Sequence, residues 1–404
     1  MKVLYITGSC LFKNTSANMS HNAFIKGLIE NDCQVDVVMA DNSWGETDNV
    51  LPEFKDVNYY TYHSDSLVDK LRKKSRTVIQ PEKTNLEETK DQNSNNCIKQ
   101  RIRNKIKHIF YTVFKDHPVY GKDMVWVKKA ICFSNKEKYD LVISNSSPAS
   151  SHKLVQLLTE KQHIFYDKWI QIWEDPWFYD LYSNYTESIK VEEYSLLGNA
   201  DEIYYVSPLT LMYQKRYFPT CADKMKCIPL PFLDYSKSKK NTDSVSDSFG
   251  YFGDYYSYTR NLKPFYEALI QSGYTGNIYG DTNILLKETD RIHISGRVTL
   301  EILSRVQEST EVLVHLSNLK GGQIPGKIYH YSATTKPILF ILDGTEEEKS
   351  ALLEFFGKYN RYYFCENNLD SILRIMQKIT TEKQIFEPII DFSPKEVVNT
   401  ILCN

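Results

Sequence analysis

Two cations in this sequence stand where an anion would account for them. Arg260 closes the loop GYFGDYYSYTRN (250–261), which leaves an apolar run at Gly253 and leads into the helical stretch RNLKPFYEALIQSG. Lys327 follows Pro325-Gly326 in HLSNLKGGQIPGKIYHYSATTKPIL (315–339), in the first turn of a predicted helix. The start of a helix carries partial positive charge, so a cation there is unfavourable unless a bound anion shares it with the free backbone N–H groups. Anion binding is the chemistry this pattern suits. For Arg260 the competing reading is a surface arginine paired with a nearby acid. For Lys327 a bare surface lysine leaves the surrounding Gly321-Gly322 and Pro325-Gly326 unexplained, since glycines let backbone approach a ligand closely.

Other polar residues fall at the ends of apolar runs. Gly296 and Arg297 in ISGRV could hold a nucleobase edge, with a plain turn the simpler reading. In the first half of the chain these positions are Gly8 and Ser9, Asn145-Ser146-Ser147, and the WEDPW segment with Trp173 and Asp175. Two Trp around an acid suit a sugar, whose flat face meets a ring while the acid takes hydroxyls. They suit core packing and a capping acid equally. No loop matches the phosphate-loop or dinucleotide fingerprints. The eight cysteines form no C-x-x-C pair, so neither a zinc site nor a disulfide framework is expected, and reduced thiols are the default.

The elements that must position these residues alternate. KVLYIT, VDVVMA, DLVIS, HIFYDKWIQIW, DEIYYVS and KCIPLPF read as strands, and FGYFG, NIYG, RIHISG, VLVHLS, PILFIL and YYFC as a second series. Amphipathic stretches separate most of them, for example HNAFIKGLIEN with Phe24, Ile25, Leu28 and Ile29 on one face. This β-α-β order predicts an α/β fold of parallel sheets. The 404 residues suit two or three domains, and the Ser/Lys/Asp-rich stretch 234–248 is the best linker. The expected division is 1–235, 236–385 and a C-terminal helix in 386–404. Parallel sheets bind ligands beyond the carboxyl ends of their strands, so a cleft between two such domains is the expected site.

Composition excludes other classes. With 42% hydrophobic and 25% charged residues and a net charge of −2, the chain is ordinary globular protein without the basic excess of a nucleic-acid binder. No apolar run reaches the length of a membrane span, and the first residues lack a cleavage site, so a cytoplasmic protein is expected. An insertion at about 66–115 is rich in Lys and Arg. Within it, residues 98–115 (IKQRIRNKIKHIFYTVFK) put apolar residues at helical spacing opposite basic ones. Such a helix suits an anionic membrane surface, or its own domain with a solvated basic face.

Five stretches, YDLVISNSSPASSH, WIQIWEDPW, NADEIYYVSPLT, YFGDYYSYTRNL and IPGKIYHYSATTKPIL, together resemble bacterial glycosyltransferases of the glycosyl transferase group 1 (family 4) type. The likeness spans nearly the whole chain. It implies the glycosyltransferase-B fold, two doubly wound Rossmann-like domains facing across a cleft, and a role in capsule, O-antigen or exopolysaccharide assembly. By the same resemblance a nucleotide-diphosphate sugar is the donor substrate, with no cofactor and no metal, and the acceptor is a glycan or lipid-linked oligosaccharide. Transfer occurs with retention at the anomeric carbon. Arg260 and Lys327 match the pair that neutralises the diphosphate, and Gly253 matches the glycine it approaches. Gly296, Arg297, Gly322, Ile324, Pro325, Gly326, Tyr329 and His330 fall on the donor side. Gly8, Ser9, Asn145, Ser147 and Trp173 fall on the acceptor side, and Asp175 is the candidate acceptor contact or catalytic base. The family's E-x7-E pair falls on Gly322 and His330, so neither acid is present. That departure leaves open a nucleotide-sugar-binding or scaffold subunit without turnover; a sugar-nucleotide epimerase shares the fold.

Overall fold

The computed structural model describes residues 1–13, 15–41, 51, 53–65, 117–180, 186–233 and 245–403. Among the described residues thirteen strands, most of them short apolar runs, pair in parallel into two sheets. The first sheet holds β1 (Lys2–Thr7), β2 (Gln34–Asp41), β3 (Val57–His63), β4 (Tyr139–Ser146), β5 (Tyr166–Trp173), β6 (Glu202–Tyr205) and β7 (Met225–Cys227). Its order is β3-β2-β1-β4-β5-β6-β7. The second holds β8 (Val245–Phe252), β9 (Thr275–Tyr279), β10 (Ile292–Ser295), β11 (Thr310–Leu316), β12 (Ile338–Leu342) and β13 (Tyr362–Glu366), in the order β10-β9-β8-β11-β12-β13.

In each sheet the strand order reverses direction once. The reversal lies between β1 and β4 in the first and between β8 and β11 in the second. Loops leaving adjacent strands at such a point diverge to opposite faces and open a crevice. The ends of these four strands and the segments after them carry Gly8-Ser9, Asn145–Ser147, Gly253–Arg260 and the 317–326 loop. Both sheets are buried on both faces, which is why the central strands read as apolar runs without alternation.

Several helices begin where a hydroxyl caps them. Thr15 accepts from Asn18 N–H ahead of Ser16–Glu30, and Ser207 accepts from Leu209 and Thr210 N–H ahead of Pro208–Tyr217. Ser393 caps Pro394–Leu402, which folds back onto the first sheet. There Val397, Val398 and Ile401 join Val3, Tyr5, Phe24 and Leu28 in one core. A side chain at Gly27 would place its Cβ 2.1 Å from the Pro394 carbonyl oxygen, so only glycine permits this contact.

Three elements depart from the sequence expectations. β3 was absent from the predicted strands: it is an edge strand with mixed burial, so its residues show no continuous apolar run. β8 starts at Val245, inside the polar stretch expected to be linker, whose residues up to 244 lie outside the described region, as does the basic segment 98–115. The helix after Arg260 begins only at Lys263. Among the described residues no helix is long and apolar enough to cross a membrane.

Candidate active site

The second lobe gathers its charges at its switch point. The chain leaves β8 at Gly253, whose N–H donates to Tyr279 O at 2.8 Å. The neighbouring Gly280 (φ +149°) lies so close that a Cβ there would sit 2.0 Å from Gly253 O. The loops after β8 and β11 are joined by Leu319 N–H donating to Thr259 O at 2.7 Å. That bond draws Arg260 and Lys327 to one place. Arg260 Nε is buried without a hydrogen-bond partner, and Arg260 Nη1 lies 3.8 Å from a Cβ position on Gly253.

Lys327 is half-buried. Burial pushes its ammonium down to about 8; nearby Asp254 opposes this, while Arg297 and Arg260 reinforce it. Asp254 was not singled out from sequence. It accepts from Arg297 Nε at 3.1 Å and from Asp281 N–H at 3.0 Å, and the Arg297 guanidinium holds its carboxyl below the usual range. Burial and the adjacent Lys327 push His330 down to about 4, so it is neutral. His315, buried at the end of β11, is pushed down to about 3 by burial and then by Arg260.

In the first lobe the loops after β1 and β4 pack on each other. Gly8 N–H donates to Ser151 Oγ at 2.9 Å, and Ser9 Oγ donates to the Ser147 carbonyl at 2.9 Å. A Cβ at Gly8 would meet Pro148 at 2.6 Å. Beside them stand Glu174 and Asp175 at the end of β5. Burial raises the Asp175 carboxyl above its usual range, against the Gln323 hydrogen bond, with Asp180 adding to the rise.

The segment holding Asp175 is fixed from behind by Glu193, which accepts from Phe178 N–H. Burial pushes Glu193 up to about 8. It keeps its proton in the folded state after the unfolded chain has lost it, so its contribution to stability falls as pH rises from the carboxylate range toward 8. Glu193→Gln is expected to flatten that part of the stability profile, read from thermal unfolding between pH 5 and 8. An unchanged profile would remove this account.

The lobes meet through the loop that carries Lys327. Gln323 Nε2 donates to Asp175 Oδ1 at 2.7 Å and to Asp180 Oδ2 at 3.1 Å. The Gly322 carbonyl accepts from Ser207 Oγ at 2.6 Å and Thr210 Oγ1 at 2.7 Å. Gly321 N–H donates to Glu348 Oε1, which also accepts from Tyr213 OH.

Several expected roles change on this geometry. Arg260 does not sit at a helix start; its N–H donates to Tyr256 O in a turn three residues before the helix. Its attractive neighbours are Tyr251 and Asp254. Gly322 approaches the first lobe's backbone rather than a ligand, with Thr210 Cα 3.0 Å from its Cβ position. Tyr329 is buried in the second lobe's core and its OH donates to Val206 O across the junction at 2.7 Å, so its ring and its proton are used in packing the lobes. Ile324 packs at the edge of that core. Arg297 is spent on Asp254 and Asp281, and Gly296 has only Asp281 near its Cβ position. Trp173 is fully buried: its ring lies 4.2 Å from that of His152 and its N–H donates to Gln171 Oε1 at 3.0 Å. It is core, not a sugar platform. Among the described residues no group of three or more His, Cys, Asp or Glu could hold a metal ion.

No sequence-family model matches the chain, and no curated protein matches it in sequence. Solved structures do match in shape. Sucrose-phosphate synthase from Thermosynechococcus elongatus is similar with a TM-score of 0.53 at 12% identity, over 99% of this chain and 94% of that one. HepE from Anabaena, in complex with UDP, is similar with a TM-score of 0.52 at 12% identity, over 100% and 94%. A glycosyltransferase from Rickettsia africae is similar with a TM-score of 0.50 at 13% identity, over 100% and 93%. Two parallel doubly wound sheets joined in this order, and alike over nearly the full length of such enzymes, make this the glycosyltransferase-B fold.

Proposed function

We propose that the protein transfers a glycosyl group from a nucleotide-diphosphate sugar to a glycan or lipid-linked oligosaccharide, in surface-polysaccharide assembly on the cytoplasmic side of a membrane. One observation carries the reading: Arg260, with a buried unpartnered Nε, and half-buried Lys327 converge at the switch point of the second sheet, beside the first lobe. Cations held there suit the diphosphate of a leaving nucleotide, because they are in place before its charge develops. HepE, of the same fold, is in complex with UDP.

In the proposed reaction the bond between the anomeric carbon and the phosphate oxygen breaks, and a bond to the acceptor oxygen forms. The acceptor's proton passes to the departing phosphate. Arg260 and Lys327 hold the charge on that phosphate, and the sugar keeps its configuration, as the resemblance implies. Calorimetry against the diphosphates of uridine, guanosine, adenosine, cytidine and thymidine tests the first step. Failure of all of them to bind would defeat the proposal.

A second reading has its own observation. The positions of the family's acidic pair are taken by Gly322, which is turned to the first lobe, and by neutral His330. A subunit that binds nucleotide sugars without turnover follows from that, and nucleotide binding without diphosphate release across a broad acceptor set would favour it.

Binding is expected to depend on pH with a defined sign. A bound diphosphate raises the Lys327 ammonium from its depressed value, so binding takes up protons near pH 8 and weakens as pH rises above it. Calorimetry in two buffers of different ionisation enthalpy reads the uptake. Equal heats in both would count against Lys327.

A further inference from the structure

Glu174 is the acid that sequence reading passed over in favour of Asp175, and its surroundings are built. It stands at the end of β5, on the face that Tyr5, Asn145 and Ile172 share with the helix Ser16–Glu30. Its side chain is 11% exposed. Its Oε1 is buried, lies 4.0 Å from His21 Nδ1, and has no hydrogen-bond partner. Behind it runs a continuous chain of buried donors and acceptors. Asn145 Nδ2 donates to Tyr5 OH at 2.7 Å, and Tyr5 OH lies 2.9 Å from His21 Nδ1. Since that phenol accepts from Asn145, it donates to Nδ1. His21 then carries its proton on Nε2, 3.2 Å from Thr7 Oγ1. Fully buried Asn145 also interacts with Glu174 and leaves its Oδ1 without a partner. Buried polar atoms without partners cost about 1–3 kcal/mol each. Glu174 and Asn145 interact with each other, and each keeps one buried atom without a partner, so the pair can take a further polar group.

The position selects which group. Asp175, next in sequence, is bonded to Gln323, and Gln323 lies four residues before Lys327 on the same loop. Four residues span at most about 14 Å. A sugar attached to a phosphate at Lys327 is therefore within reach of the acids that this loop holds. Building on the donor site proposed above, we propose that Glu174 binds a hydroxyl of the glycosyl group being transferred, with Asn145 and the Tyr5–His21–Thr7 chain as its positioning residues. Burial, and then Asp175, hold the Glu174 carboxyl well above the usual range, while Asn145 opposes them. It thus offers one O–H donor and one acceptor, the pair a sugar hydroxyl needs.

The test compares each of the five nucleoside diphosphates with its glucose ester, by calorimetry on the full chain. In the unaltered protein one glucose ester is expected to bind more tightly than its diphosphate. Glu174→Ala is expected to reduce that preference by about tenfold, the loss of roughly one hydrogen bond to a buried group, with diphosphate affinity unchanged. Glu174→Gln keeps one donor and one acceptor and is expected to recover most of it. A merely structural role would lower diphosphate and ester binding together, with no recovery by Gln, and would overturn the inference. So would a full preference in Glu174→Ala, or no preference in the unaltered protein. If no diphosphate binds at all, the donor site itself falls, and the inference falls with it.

Discussion

Lys327→Ala is expected to lower turnover by about 10²–10³-fold, the cost of removing one preorganised donor from developing charge. Arg260→Ala is expected to do the same. Their double variant should lose less than the product of the two, because both act on one diphosphate. The side chains reach that place by different routes: Lys327 from the turn that starts the helix Lys327–Ser332, Arg260 from the turn after β8. Lys327→Arg should recover only part of the loss. The position is half-buried and already faces two guanidinium groups, Arg260 and Arg297, and a third adds repulsion without the ammonium's compact reach. Rates of nucleotide release from a sugar nucleotide, with diphosphate affinity measured beside them, check this. A Lys327→Ala protein that turns over like the parent would end the proposed mechanism.

Trp173→Ala is expected to destabilise the first lobe by about 3–5 kcal/mol. The ring is fully buried between His152 and the cluster of Leu196, Leu197, Ile203 and Phe218. Its loss opens a cavity and leaves Gln171 Oε1 without its donor. Trp173→Phe should cost less, since most of the volume stays. Chemical denaturation resolves the two. A glycan platform would show the opposite pattern, with stability kept and acceptor binding lost.

The fold was legible because parallel strands buried on both faces leave continuous apolar runs. The strand-end loops that broke those runs with glycine, serine or asparagine were legible as well; the strand order, and with it the two reversal points, came only with the fold. β3 was not legible, because an edge strand with mixed burial carries no such run. Lys327 could be read from the turn residues around it. Arg260 was found on an argument about a helix end that is not there; the side chains it meets, Tyr251 and Asp254, stand at the end of the same strand, β8. Trp173 looked like a site residue because it flanks an acid in WEDPW, and Tyr329 because it falls in the stretch that resembles a donor loop; both have polar atoms with partners in the fold. Those partners, Gln171 and the Val206 carbonyl, are visible only once the chain is folded. Glu174 escaped for the same reason in reverse: its type is ordinary, and the absent partner on Oε1 has no trace in one-dimensional text.

The helix Pro394–Leu402 sits on the helix Ser16–Glu30, with the residues of the second sheet between them in sequence. Neither lobe is thus a simple head-to-tail module. Anyone exchanging donor lobes among enzymes of this shape would have to splice at two junctions, treating the second lobe as cargo inside a host that begins and finishes with its own pieces. A recombinant fragment cut after residue 233 would surface with a greasy scar along Phe24 and Leu28, prone to clumping, unless the last helix were grafted back on.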